Sequence, residues 1–144
     1  MSAESDLSAI EEQPSAKLWG ENLDEFQDIK SYKGKFVVTS DGKFFAKLFP
    51  KSEWDNIELF HDMVVSDLGV NDPKSVDVKE VITGGGKMDI TLKDNSVEVL
   101  LYGNSAIYGD YDADGIDIEA LEFEVRNVFD LDDVPVKIVT DSQY

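Results

Sequence analysis

From Lys35 the chain alternates between two apolar periods. Phe36-Val37-Val38-Thr39 and Phe44-Phe45-Ala46-Lys47-Leu48-Phe49 are apolar runs of strand length, separated by Ser40-Asp41-Gly42-Lys43. An Asp-Gly pair supplies the positive φ of a tight turn, so this stretch predicts an antiparallel hairpin ended by Pro50. The period then lengthens. Ser52, with Asp55 three residues on, resembles a capping box, and Trp54, Ile57, His61, Val64, Val65 and Leu68 recur at helical spacing up to Gly69. After the Asn71-Asp72-Pro73 turn, residues 76–82, 87–93 and 96–102 predict three strands, divided by Gly84-Gly85-Gly86 and by Asp94-Asn95. Asp117 is placed to cap a second helix whose Ile118, Leu121, Val125 and Val128 share a face, and Pro135 to Thr140 predicts a final strand. The sum is an α/β single domain of six strands and two main helices, with no internal repeat.

The first 30 residues lack this patterning. They are acidic and polar, and predict a partly disordered tail ahead of a domain spanning 31–144. Within the tail, Leu18, Trp19, Leu23 and Phe26 are spaced as a short amphipathic turn that docks on the domain.

Composition narrows the function classes. A chain of 144 residues holds one core and therefore one site. With 31 acidic against 13 basic residues, a net charge of -18, the mean field opposes nucleic acid and anionic membrane surfaces. That field is screened within roughly 8–10 Å at physiological salt, so a local lysine cluster can still hold a phosphate. The absence of cysteine excludes disulfides, zinc-thiolate sites, iron-sulfur clusters and cysteine-nucleophile phosphatase chemistry. The N-terminal Met1-Ser-Ala-Glu-Ser-Asp6 has neither a basic start nor an apolar run, which predicts a cytoplasmic protein with access to the nucleus.

Four segments carry candidate chemistry. His61 is the only histidine and the only side chain whose ordinary pKa lies near neutrality. On a helix face amid apolar residues it reads either as a core histidine donating to a carbonyl or as a proton acceptor. Thr83-Gly84-Gly85-Gly86-Lys87, centred on Gly85, reads either as a strand bend or as a backbone that approaches an anion closely. It is not a Walker A loop, because Val81 and Met88 stand where that motif needs Gly and Ser or Thr. Tyr102-Gly103-Asn104-Ser105-Ala106-Ile107-Tyr108-Gly109 is either a plain connection or a loop that turns amides and a hydroxyl toward a phosphate. Asp110-Tyr111-Asp112-Ala113-Asp114-Gly115 matches the first half of a calcium loop, but Leu121 occupies the position of the bidentate Glu, with Glu122 one place late. The segment reads either as a solvated acidic turn before a helix, which the missing Glu favours, or as a calcium loop.

In this order and spacing, Glu58-Leu59-Phe60-His61-Asp62, Gly84-Gly85-Gly86-Lys87 and Tyr102-Gly103-Asn104-Ser105-Ala106-Ile107-Tyr108-Gly109 resemble the Janus/ocnus family of small protein histidine phosphatases, over roughly residues 36–144. The resemblance implies a six-stranded mixed sheet with helices on both faces and a phosphate site between the histidine helix and the serine loop. It implies His61 as proton acceptor and Ser105, Ala106 and Ile107 as the segment that binds the phosphoryl group through amides and hydroxyl. It further implies hydrolysis of phosphohistidine in proteins or peptides by a monomer without metal or cofactor. The chain departs from the family pattern in three places. Lys87 stands for the Arg after the glycines and lacks its bidentate fork. Ile107 stands for a small residue. Phe45 aligns with a substrate-binding Lys of the family.

Side chains alternate across a strand, so Lys43 and Lys47 share a face with Phe45 and are the lysines expected to replace that charge, Lys47 ahead of Lys43 and Lys87. Two other functions follow from the same residues. One is a non-catalytic phosphohistidine or phosphopeptide reader, motivated by Lys87 and Ile107. The other is an acidic calcium-binding interaction protein using Asp110, Asp112 and Asp114.

Overall fold

A computed structural model of the chain describes residues 3–20, 30–56, 61–93, 96–102, 118–129 and 135–141. Six strands form one mixed sheet: β1 (Ala16–Gly20), β2 (Ser31–Thr39), β3 (Phe44–Pro50), β4 (Ile82–Lys93), β5 (Ser96–Tyr102) and β6 (Val136–Asp141), in the order β1-β3-β2-β4-β5-β6. The outer pairs β1/β3 and β5/β6 are parallel and the inner pairs antiparallel. The described helices are α1 (Ala3–Glu11), α2 (His61–Ser66), α3 (Val76–Val81) and α4 (Ile118–Phe129), with a 3-10 helix over Lys51–Asn56. The chain is thus α/β with one main domain, as its patterning predicts. Among the described residues no helix is long and apolar enough to cross a membrane.

The period-2 alternation sorts the sheet into two faces. On one, Tyr32, Phe36, Phe44, Ala46, Leu48, Met88, Ile90, Val97, Val99 and Leu101 form a buried cluster with Leu121 and Val125 of α4. The Phe36 and Phe44 rings stack there, with centroids 4.9 Å apart. Because α4 packs against both edge strands, β1 and β6, the sheet curls around this helix. On the other face, Val37, Phe45 and Phe49 pack with Ile10 of α1, Val64, Val65, Leu68 and Val70 in and after α2, and Val78 of α3.

The β2–β3 hairpin turns as its Asp-Gly pair predicts. Gly42 has φ +88°, the Gly42 amide donates to the Thr39 carbonyl at 3.1 Å, and the Thr39 amide donates to the Lys43 carbonyl at 3.0 Å. This is a three-residue loop with glycine at its left-handed position. Gly34, in the middle of β2, serves a different need. A β-carbon there would stand 1.9 Å from the Lys47 carbonyl oxygen of β3, so only glycine permits this approach of the strands.

Three segments differ from expectation. Residues 3–20, read as tail, form α1 and β1, with Ile10, Ala16 and Leu18 buried. The segment is held by polar contacts that its acidic composition masks. The buried Asp6 carboxylate accepts from the Asn71 amide at 2.9 Å and the Asp72 amide at 3.2 Å, and the Gln13 side chain donates to the Leu68 carbonyl at 3.3 Å. Leu18 and Trp19 lie in β1 rather than in a helical turn, while Leu23 and Phe26 lie outside the described residues. Residues 76–81, read as a strand, are helical because the Ser75 hydroxyl caps the Val78 amide at 3.3 Å and only Val78 needs full burial. β2 begins at Ser31, five residues ahead of the expected Phe36, because Lys33 and Lys35 alternate with buried Tyr32, Gly34 and Phe36.

Replacing Gly34 with Ala is expected to cost about 2–3 kcal/mol, since the new methyl meets backbone rather than a movable side chain. Urea unfolding of the Gly34→Ala variant measures it, and an unchanged midpoint would contradict the close approach of β2 and β3.

Candidate phosphate site

The second face of the sheet loses its apolar character away from α1 and α3. Trp19, Lys47, Lys35, Lys87, Tyr102 and Asp141 occupy one register row across all six strands. Three lysines therefore stand side by side at its centre, on strands whose facing Cα atoms are about 4.5–5.5 Å apart. Like charges placed directly opposite one another destabilise a sheet. One row along, Lys33 of β2 stands between Phe49 of β3 and Asp89 of β4. Lys35, Lys47 and Lys87 are all partly buried, which reduces the water available to screen them.

The neighbours of each lysine divide the row. Lys47 forms an ion pair with Asp67, just past the end of α2, and Asp67 also accepts from the Trp19 indole at 3.4 Å. Lys33 places its ammonium 5.7 Å from the centre of the Trp54 ring, in the 3-10 helix that precedes α2. Its cross-strand neighbour Asp89 keeps a buried Oδ1 with no hydrogen-bond partner among the described residues. Lys35 and Lys87 occupy the middle.

His61 is the first residue of α2, which packs on β2 and β3 over this face. The His61 side chain lies outside the described residues. Val64 and Val65, one turn on, are fully buried against the sheet and fix how the helix sits. α2 is six residues long, about 9 Å at 1.5 Å per residue, and its far end holds the Asp67–Lys47 pair. Lys47 thus meets the carboxy-terminal end of the His61 helix.

Gly85 and its neighbours are strand and not loop. Gly84, Gly85 and Gly86 pair with Val38, Val37 and Phe36 of β2 in extended conformation. β5 pairs with β4 only from Lys87 onward, so Ile82 to Gly86 run past the end of β5 and are laddered along β2 alone. Tyr102, the last residue of β5, pairs with Lys87, which joins the segment carrying Ser105, Ala106 and Ile107 to the sheet beside that lysine. Those three residues, and Asp110 to Gly115, lie outside the described residues.

Lys43 is committed to another task. Its ammonium donates to the Ile10 carbonyl at 3.3 Å and the Glu11 carbonyl at 2.6 Å, where it meets the negative end of α1. Among the described residues no three His, Asp or Glu side chains converge as a metal site. No family model, curated protein or solved structure matches this chain.

Sequence reasoning missed Lys33, Lys35, Trp54, Asp67 and Asp89 as members of this face. A signal for the first two was present: Tyr32-Lys33-Gly34-Lys35-Phe36 alternates cleanly, with Gly34 breaking the apolar half of the pattern.

Lys43→Met is expected to lower stability by about 1 kcal/mol through the lost carbonyl contacts at the end of α1. The titration of inorganic phosphate by the same variant should match that of the unaltered protein. A weakened phosphate titration would return Lys43 to the site.

Proposed function

We propose that this protein hydrolyses phosphohistidine in proteins or peptides, as a histidine phosphatase of the Janus/ocnus kind. One observation carries the reading: the helix opened by His61 packs on the sheet face that holds the lysine row, with Lys87 paired to the strand that leads into Ser105. α2 packs on β2 and β3, β2 pairs with the strand that carries Lys87, and that strand pairs with β5, so the elements that bear or precede the three motifs follow one another across the sheet.

Phosphoryl transfer passes through a loose transition state, so positioning and charge stabilisation supply most of the catalysis. In the proposed reaction His61 orients a water and takes its proton as the oxygen attacks phosphorus. Lysine ammonium groups and the amides of the Ser105-Ala106-Ile107 segment hold the equatorial oxygens. A reader that binds phosphohistidine without turnover shares this site, and is favoured by Lys87 standing where a forked guanidinium would grip two oxygens.

His61→Ala is expected to lower turnover of a phosphohistidine peptide by about 10²- to 10⁴-fold, the usual share of a general base. Its circular dichroism should remain that of the folded protein, because α2 is anchored by Val64 and Val65. Undiminished turnover removes His61 from the reaction, and loss of activity with loss of fold returns it to the core. In a separate arm, a chelator should leave the rate of the unaltered protein unchanged. A chelator-sensitive rate restored by a divalent ion would reject the mechanism.

A further inference from the structure

The row beside the lysine row reads Phe49, Lys33, Asp89 and Leu100 across β3, β2, β4 and β5. Its two charged members are opposite in sign and stand directly across from one another, with β-carbons about 4.5–5.5 Å apart on one face of the sheet. Such neighbours ordinarily close into a cross-strand ion pair. Here the Lys33 ammonium sits 5.7 Å from the centre of the Trp54 ring instead, and the buried Asp89 Oδ1 has no hydrogen-bond partner among the described residues. On its other side Asp89 faces Leu100, which has no side-chain donor to offer.

A carboxylate oxygen buried without a donor is a costly arrangement. The ammonium that would satisfy it is carried by the residue directly opposite, so side-chain rotation alone brings the two together, with no movement of either strand. An ammonium over an aromatic face and an ammonium on a carboxylate are attractions of the same order. Two seats of comparable depth for one cation make a two-state element. Trp54 belongs to the 3-10 helix over Lys51–Asn56, which packs on β2 and β3, and its ring is only partly buried there. On Trp54, the ammonium fastens this short helix to β2. On Asp89, it would supply the missing donor and leave the helix unfastened.

We infer that Lys33 is a two-position latch for the 3-10 helix: seated on Trp54 it holds the helix against the sheet, and seated on Asp89 it leaves the helix free to lift. Asp89 is the receiving seat. It stabilises the lifted form by closing the ion pair that the fastened form lacks. The device goes beyond the proposed reaction and does not rest on it. Because the 3-10 helix lies a few residues ahead of α2, the latch acts on the stretch of chain that leads to His61.

Urea unfolding of the full chain tests where the ammonium goes. Asp89→Asn alone should leave the unfolding constant within about threefold or lower it, because the carboxylate has no partner to lose. In a Trp54→Leu background the ammonium moves to Asp89, and the same substitution should raise the constant by about tenfold or more, the yield of one charge-assisted hydrogen bond. Adding Lys33→Met to that background should abolish the rise. An equal response to Asp89→Asn with and without Trp54 overturns the inference, as does a rise that survives Lys33→Met. Amide hydrogen exchange gives a second reading that does not need the Trp54→Leu chain to fold. With α4 as internal reference, exchange over Lys51–Asn56 should slow by about threefold or more in Asp89→Asn, which removes the receiving seat. It should quicken in Lys33→Met, which removes the fastening. Exchange over Lys51–Asn56 that is unchanged or faster in Asp89→Asn overturns the latch.

Discussion

β2 is paired along both edges, through seven register positions with β3 and nine with β4. Its even-numbered Tyr32, Phe36 and Val38 enter the cluster beneath α4, and its odd-numbered Val37 enters the cluster beneath α1, α2 and α3. Because the side-chain period of a strand is two, a slip of one residue in either pairing would exchange Lys33 and Lys35 with Tyr32 and Phe36. The lysines would then be driven beneath α4 and the rings into solvent. Register, enforced by burial on both sides, is what aligns Lys47, Lys35 and Lys87. Gly34 is where the enforcement is tightest, since β3 passes its backbone too closely for any β-carbon.

The two faces divide the labour unevenly. The face beneath α4 is apolar throughout and is closed by a helix that reaches both edges of the sheet. The opposite face is apolar only where α1, α2 and α3 cover it, and polar along the row from Lys47 to Lys87. A strongly acidic protein thereby gathers cations on one patch at the centre of its sheet. Field lines from such a patch persist over distances comparable with the screening length, about 8 Å in physiological salt.

Much of the fold was legible because long-range packing agreed with local pattern. The β2–β3 hairpin, its glycine turn, β5, α4 and β6 all follow from period and turn chemistry. The sequence was misleading where a short amphipathic stretch fits two periods. Val76, Val78 and Val81 satisfy a strand almost as well as a helix, and the Ser75 cap decides for the helix. Gly84 to Gly86 carry turn-like composition, yet β2 supplies a full ladder partner and extends them. α1 and β1 were hidden because their anchoring is polar and distant: no local signal announces that Asp6 meets Asn71 and Asp72. The candidate site was legible only in part for the same reason. His61 and Lys87 stand out by type, whereas Lys35 and Asp89 gain meaning from the register of strands about 50 residues apart.

The Asp6 carboxylate ties the start of the chain to the turn that follows α2, while His61 begins that same helix. An affinity tag or fusion partner at the amino terminus is therefore attached within a few residues of a buried clasp. Carboxy-terminal tags, joined beyond β6 at the far edge of the sheet, leave the clasp untouched.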